Sequence, residues 1–325
     1  MHPAFSVIFL TTLIGAGQGL FLALFSSQLY AEFNLLPDVT ASNFYGIGSI
    51  VSLLLLIGGL ISSVFHLGRP ERAWRAASMW RTSWLSREVI ALPTMMAAVF
   101  VYGVIHLMGL DSVAYSHGSI ELNTSLFIGT FGVLATLALF ICTAMIYACI
   151  KFLQEWSSPL TVINYFLFGT ASGFTLASAI ASYLELPEHT HFLGAWAIAL
   201  TVIVLFTRSA SLYRNSRIKH RSSVQTAIGL RHNKIVQKSQ GAMGGSFNTR
   251  EYFHGKTAMF LKSVKYIFML LVFPIPLILL SAAISNGNTE VLLAAFIIQY
   301  IGLIAERWFF FAQANHPQNI YYQTV

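Results

Sequence analysis

Eight stretches of this chain are each long and apolar enough to cross a lipid bilayer, and nothing else in the sequence limits the fold as severely. A spanning helix needs about 20 mostly apolar residues. The stretches run Phe5–Ala31, Phe44–Phe65, Val89–Leu110, Ser125–Ile150, Leu160–Leu184, Phe192–Leu212, Val264–Ile284 and Val291–Ala312. Strands do not compete, because these runs lack period-two alternation and far exceed a barrel strand of about 10 residues. Composition agrees: 56% of residues are hydrophobic and 10% charged, against about 25% charged in soluble domains. The expectation is an all-α polytopic membrane protein, one membrane domain over residues 1–325, arranged as two four-helix bundles. The first stretch does not read as a cleaved signal, since Met1-His2-Pro3 supplies no basic n-region and the apolar run is too long.

Charge sets the expected orientation. With eight spans, both termini and the loops after spans two, four and six share one side. All 19 Lys and Arg fall on that side or at its helix ends, among them Arg69, Arg72, Arg75, Arg81 and Arg87 in one loop and twelve between Arg208 and Lys265. The opposite loops carry Glu32, Asp38, Asp111, Glu121, Glu185, Glu188 and Glu290 and no Lys or Arg. The positive-inside rule makes the basic side cytoplasmic, so both termini face the cytoplasm of a bacterial inner membrane. The net charge of +7 then points to phospholipid and acidic partner subunits rather than nucleic acid. The one sizeable extramembrane piece, Tyr213–Lys262, is too polar to build its own core. It reads as an element ordered against a partner or as a basic loop resting on anionic lipid.

Several local patterns carry little. Cys142 and Cys149 lie seven residues apart, about 10 Å along a helix, too far to bridge. Gly255-Lys256-Thr257 lacks the first glycine of a phosphate loop, because Arg250 stands there. Glu188-His189-Thr190-His191 reads as an ordinary polar loop rather than a metal site. The pairs Gly15/Gly19 and Gly169/Gly173 have the spacing that lets helices approach closely.

The informative stretch is His66-Leu67-Gly68-Arg69-Pro70, ending span two, followed by Ser83-Trp84-Leu85-Ser86-Arg87-Glu88, opening span three. It places a histidine and a carboxylate at the basic membrane boundary on consecutive helices. Quinone chemistry needs that combination, because the two oxygens exchange protons as electrons move. Arg69 or Arg87 offers a positive charge for the reduced headgroup. On spacing alone, His66 and Glu88 as plain helix caps remains open.

These residues also carry a resemblance. His66-Leu67-Gly68-x-Pro70, Arg72-Ala73 and Ser86-Arg87-Glu88, with Arg307-Trp308-Phe309-Phe310-Phe311 in the last span, resemble the dimethyl sulfoxide reductase anchor family, the membrane partners of molybdopterin oxidoreductases. The short anchors of that family lack the basic insert before span seven. That insert, with Gly244-Gly245-Ser246-Phe247-Asn248-Thr249-Arg250-Glu251-Tyr252-Phe253-His254-Gly255, and the tail Asn315-His316-Pro317-Gln318-Asn319-Ile320-Tyr321-Tyr322 resemble the anchors of cytoplasmic sulfite dehydrogenases. The resemblance implies that His66 and Glu88 serve a site for ubiquinone or menaquinone, with Arg69, Ser86 and Arg87 as further contacts. It implies an iron–sulfur subunit and a molybdopterin catalytic subunit as partners, and those two cofactors belong to the partners alone. The expected role is to pass electrons from cytoplasmic sulfite oxidation to quinone, with quinol oxidation in a dimethyl sulfoxide reductase-type enzyme as the alternative. Two other classes compete. A transporter is disfavoured because no Asp, Glu, Lys or Arg lies mid-span, although Pro274 and Pro276 interrupt span seven. A haem-bearing cytochrome is disfavoured because His106 is the one histidine clearly inside a span.

Overall fold

A computed structural model describes residues 1–39, 43–117, 120–219, 223–232, 234–235, 252 and 254–317. Its helices are α1 (Phe5–Glu32), α2 (Phe44–Val64), a 3₁₀ segment (Pro70–Met79), α3 (Trp84–Met108), α4 (Thr124–Ala148), α5 (Pro159–Tyr183), α6 (Pro187–Ser216), the short α7 (Val224–Ile228), α8 (Ala258–Val272), α9 (Pro274–Asn286) and α10 (Thr289–Ala312). Eight candidate spans result, with α8 and α9 together forming the seventh. An antiparallel hairpin, β1 (Val113–His117) with β2 (Ile120–Asn123), fills the loop between α3 and α4, an element outside the all-helical expectation. Most of the Gly244–Gly255 insert and the end of the Asn315–Tyr322 tail lie outside the described residues.

Local chemistry explains the boundaries. The Ser83 Oγ caps α3 by accepting from the Ser86 amide at 3.3 Å, and α3 ends on Gly109 at φ +63°, a left-handed stop that glycine adopts without strain. Ser158 caps α5 ahead of Pro159, which enters a first turn where no amide hydrogen is required. Phe273, at φ −111° and ψ −79°, separates α8 from α9, because Pro274 and Pro276 lack the amides a continuous helix would use. Helix α6 starts at Pro187, earlier than hydropathy placed it. Glu188-His189-Thr190-His191 is therefore its first turn rather than a loop, and His189 is fully buried against Phe44.

The spans pack as two four-helix groups. α1 to α4 form one ring; α5, α6, α8 with α9, and α10 form the other. α1 and α5 join them along the two glycine pairs. A Cβ on Gly19 would stand 1.9 Å from the Gly169 carbonyl oxygen, and one on Gly173 would stand 2.0 Å from the Gly19 carbonyl carbon. Small residues here let backbone lie on backbone, which supplies the dispersion contact that drives helix association where lipid removes the hydrophobic contrast. Large apolar side chains such as Leu54, Phe131, Phe206 and Ile278 face outward, as a lipid solvent permits.

Candidate functional site

Glu88 sits in the second turn of α3, 8% exposed, with its side chain turned into the protein. Its Oε1 accepts a 2.5 Å hydrogen bond from the Thr143 hydroxyl of α4. Both line a narrow cleft at the seam of the two helix groups, walled by Leu10, Ile14, Phe140, Phe168 and Leu303 and reaching Gln18 and Ser172 deeper in the bilayer. Tyr165 and Arg307 close its other side. The Tyr165 hydroxyl is buried, with the Arg307 and Tyr147 side chains as its polar neighbours. Apolar walls with a few convergent polar groups are the usual make-up of a small-molecule site. The lining thus sets a carboxyl, hydroxyls and a guanidinium among apolar walls.

Behind Arg307 lies a charged cluster that hydropathy and helix-end reasoning did not foresee. The Arg307 Nε is 3.1 Å from one Glu306 oxygen, and Arg208 of α6 reaches the other at 2.7 Å. All three side chains are 5% exposed or less. Ionisable groups therefore do occur inside the spans, more than a turn from the helix ends on the basic side. Arg307 also lies over the Tyr165 ring, 3.9 Å from its centroid. Next to it in the Arg307-Trp308-Phe309-Phe310-Phe311 motif, the Phe310 carbonyl accepts the Trp156 indole N–H at 2.9 Å and the Phe310 ring stacks on Trp156, with Tyr147 against both. One trace of this was legible in sequence, namely two arginines and a glutamate inside otherwise apolar runs.

The other expected site residues lie elsewhere. His66 is exposed just past α2 and is not among the residues lining the cleft; partial burial holds its imidazole below the ordinary histidine value. Arg69 is exposed at the start of the 3₁₀ segment. Arg87 donates to the Trp80 and Arg81 carbonyls at 2.9 and 2.7 Å and lies over Trp84, so it fastens that segment to α3. Ser86 is buried beside Ser83. Glu88 is thus buried and His66 exposed.

A second, polar cavity opens at the acidic end of the first helix group, lined by Gln28, Glu32, Asp38, Tyr45, His106 and Asp111. From it a hydrogen-bonded chain runs inward, from Asp111 to Ser125 at 2.5 Å, to Gln28 at 2.6 Å and to Tyr102 at 2.8 Å. His106 packs edge-on to Tyr102.

Residues 1–313 match the model of the DMSO reductase anchor subunit (DmsC) family. The chain is also 56% identical to a sulfite dehydrogenase subunit from Allochromatium vinosum over 326 aligned residues, covering all of both chains. The chain belongs to the DMSO reductase anchor subunit family and is a membrane anchor of a molybdoenzyme complex.

Proposed function

We propose that this chain is the quinone-reactive anchor of a sulfite-oxidising complex in the bacterial inner membrane. In this reading both termini, and the iron–sulfur and molybdopterin subunits, lie in the cytoplasm. The observation that carries it is Glu88, a carboxyl buried in an apolar-walled cleft that Thr143, Tyr165 and Arg307 also line. The full-length likeness to a sulfite dehydrogenase subunit supports the substrate.

A quinone taking two electrons from the partner subunits must also take two protons to leave as quinol. Within this chain, Glu88 is the group placed to hold and pass a proton at its carboxyl oxygen, with the Thr143 hydroxyl fixing that oxygen at 2.5 Å. The Tyr165 hydroxyl offers a donor to a headgroup oxygen. Leu10, Ile14 and Phe168 exclude water and strengthen each polar contact inside. His66, exposed and held toward its neutral form, stands on the aqueous side, where protons enter.

Replacing Glu88 by Gln tests the reading. Quinone-linked sulfite oxidation should fall by about 10²-fold or more, the size of one general acid–base contribution, while dye-linked activity of the assembled complex stays at the wild-type level. His66→Gln should show the same split. Normal quinone reduction in both variants would refute the assignment.

A further inference from the structure

The two arginines of the buried cluster share one carboxylate. Among the described residues, Glu306 is the acid within ion-pair distance of both Arg208 and Arg307. These three side chains therefore carry a surplus positive charge, and Glu88, which shares the cleft with Arg307, is the remaining carboxyl there and the proton carrier of the reading above. Stability does not call for the surplus: withdrawing a charge from water costs several kcal/mol, and apolar residues of similar volume would serve the packing at least as well. An ionisable side chain kept at that depth points to a ligand or a transfer step. The surplus is also aimed. Arg208 reaches Glu306 from behind, and Arg307 is the member that lines the cleft with Glu88, Thr143 and Tyr165. Arg69 and Arg87, the cations that sequence offered, are respectively exposed and already committed to backbone carbonyls.

Building on the quinone reading above, we propose that Arg307 recognises negative charge on the headgroup in the cleft, with Glu306 and Arg208 as the residues that position it. Glu306 holds the Arg307 Nε edge, and the Tyr165 ring lies against the guanidinium plane's face at 3.9 Å, which together fix where the positive charge stands. Arginine suits this task because it keeps its proton when buried and its planar fork matches a charged oxygen. Charge on the ligand is then favoured by a group that salt does not screen, since the cluster lies out of reach of mobile ions.

The test uses the purified three-subunit complex and two probes: an alkylated 2-hydroxy-1,4-naphthoquinone, anionic at neutral pH, and its neutral 2-methoxy analogue. Binding of each is measured by calorimetry and by competition with quinone. In the wild-type complex the anionic probe should bind about tenfold tighter, the scale of one charge-assisted hydrogen bond. That ratio should hold between about 50 mM and about 500 mM salt, whereas a preference produced by exposed arginines would collapse. Arg307→Gln should bring the ratio to about one through loss of anion affinity, leaving the methoxy probe bound, and Arg307→Lys should keep most of the preference. The wild-type salt series decides the matter if the glutamine variant fails to assemble. A preference that survives Arg307→Gln, or vanishes with salt in the wild type, overturns this proposal while the quinone site stands. Failure of both probes to bind or compete overturns the quinone reading itself.

Discussion

Replacing Gly173 by alanine probes the seam on which the fold and the cleft both depend. The new Cβ would stand 2.0 Å from the Gly19 carbonyl carbon and 2.1 Å from the Leu20 amide nitrogen. Carbon atoms pack at about 3.5 Å, so α1 and α5 must part locally by about 1.5 Å. The obstructing atoms are backbone, and no rotamer change relieves them. Overpacking of this kind costs about 1–3 kcal/mol, less the roughly 0.5–1 kcal/mol by which alanine outdoes glycine in a helix. A net loss of about 0.5–2 kcal/mol corresponds to about 1–8 °C in melting temperature. Gly15 and Gly169 line the cleft, so the displacement should reach it and raise the KM for quinone as well. Gly58→Ala is the matched control, because its Cβ would meet only Leu13 Cδ1 at 3.5 Å and should leave stability unchanged or slightly improved. Thermal melts followed by size-exclusion of the complex give the comparison. If Gly173→Ala melts with the wild type and with Gly58→Ala, the close α1–α5 contact is not what holds the two groups together.

Three further outcomes follow from the same geometry. Glu306→Gln leaves two buried arginines without a counter-charge and should destabilise the chain by about 3–5 kcal/mol, read as lost yield or a lowered melting temperature in detergent; wild-type stability would refute the buried cluster. The Met1 ammonium, which donates to the Ala314 carbonyl at 2.9 Å, is pushed down to about 6 by burial, against the attraction of Glu155. The unfolded chain binds that proton below about pH 8 and the folded chain only below about pH 6, so stability should fall as pH drops from 8 to 6, by at most about 2 kcal/mol, and a chain acetylated at Met1 should lose this dependence in paired melts. Under the proposed orientation, protease added to right-side-out vesicles should spare the catalytic subunits, and their digestion from outside would reverse both the topology and the preference for cytoplasmic sulfite.

Much of the architecture was legible because a bilayer leaves few choices. Backbone polar groups in lipid must be paired within the segment, so eight apolar runs of helical length dictate eight spans, and Gly15, Gly19, Gly169 and Gly173 announce where two of them touch. Glu88 was legible as well, as a carboxylate at the opening of span three paired in the sequence with His66 at the close of span two. Hydropathy misplaced the start of α6, because Pro187 and Glu188 are polar or helix-breaking by composition yet favourable in a first turn, where no amide hydrogen bond is lost and the helix dipole welcomes an acid.

The site itself came from tertiary structure. Sequence proximity joined Glu88 to His66 and Arg87, which lie 22 residues and one residue away, whereas packing turned Glu88 inward to Thr143, Tyr165 and Arg307. Those three come from α4, α5 and α10, and nothing local records their meeting. Periodicity tells which residues of a helix share a face; only the mutual rotation of packed helices tells which faces meet. Here that rotation is set by the glycine contact of α1 with α5, which brings the two helix groups close enough for a carboxylate of one to share a cleft with an arginine of the other.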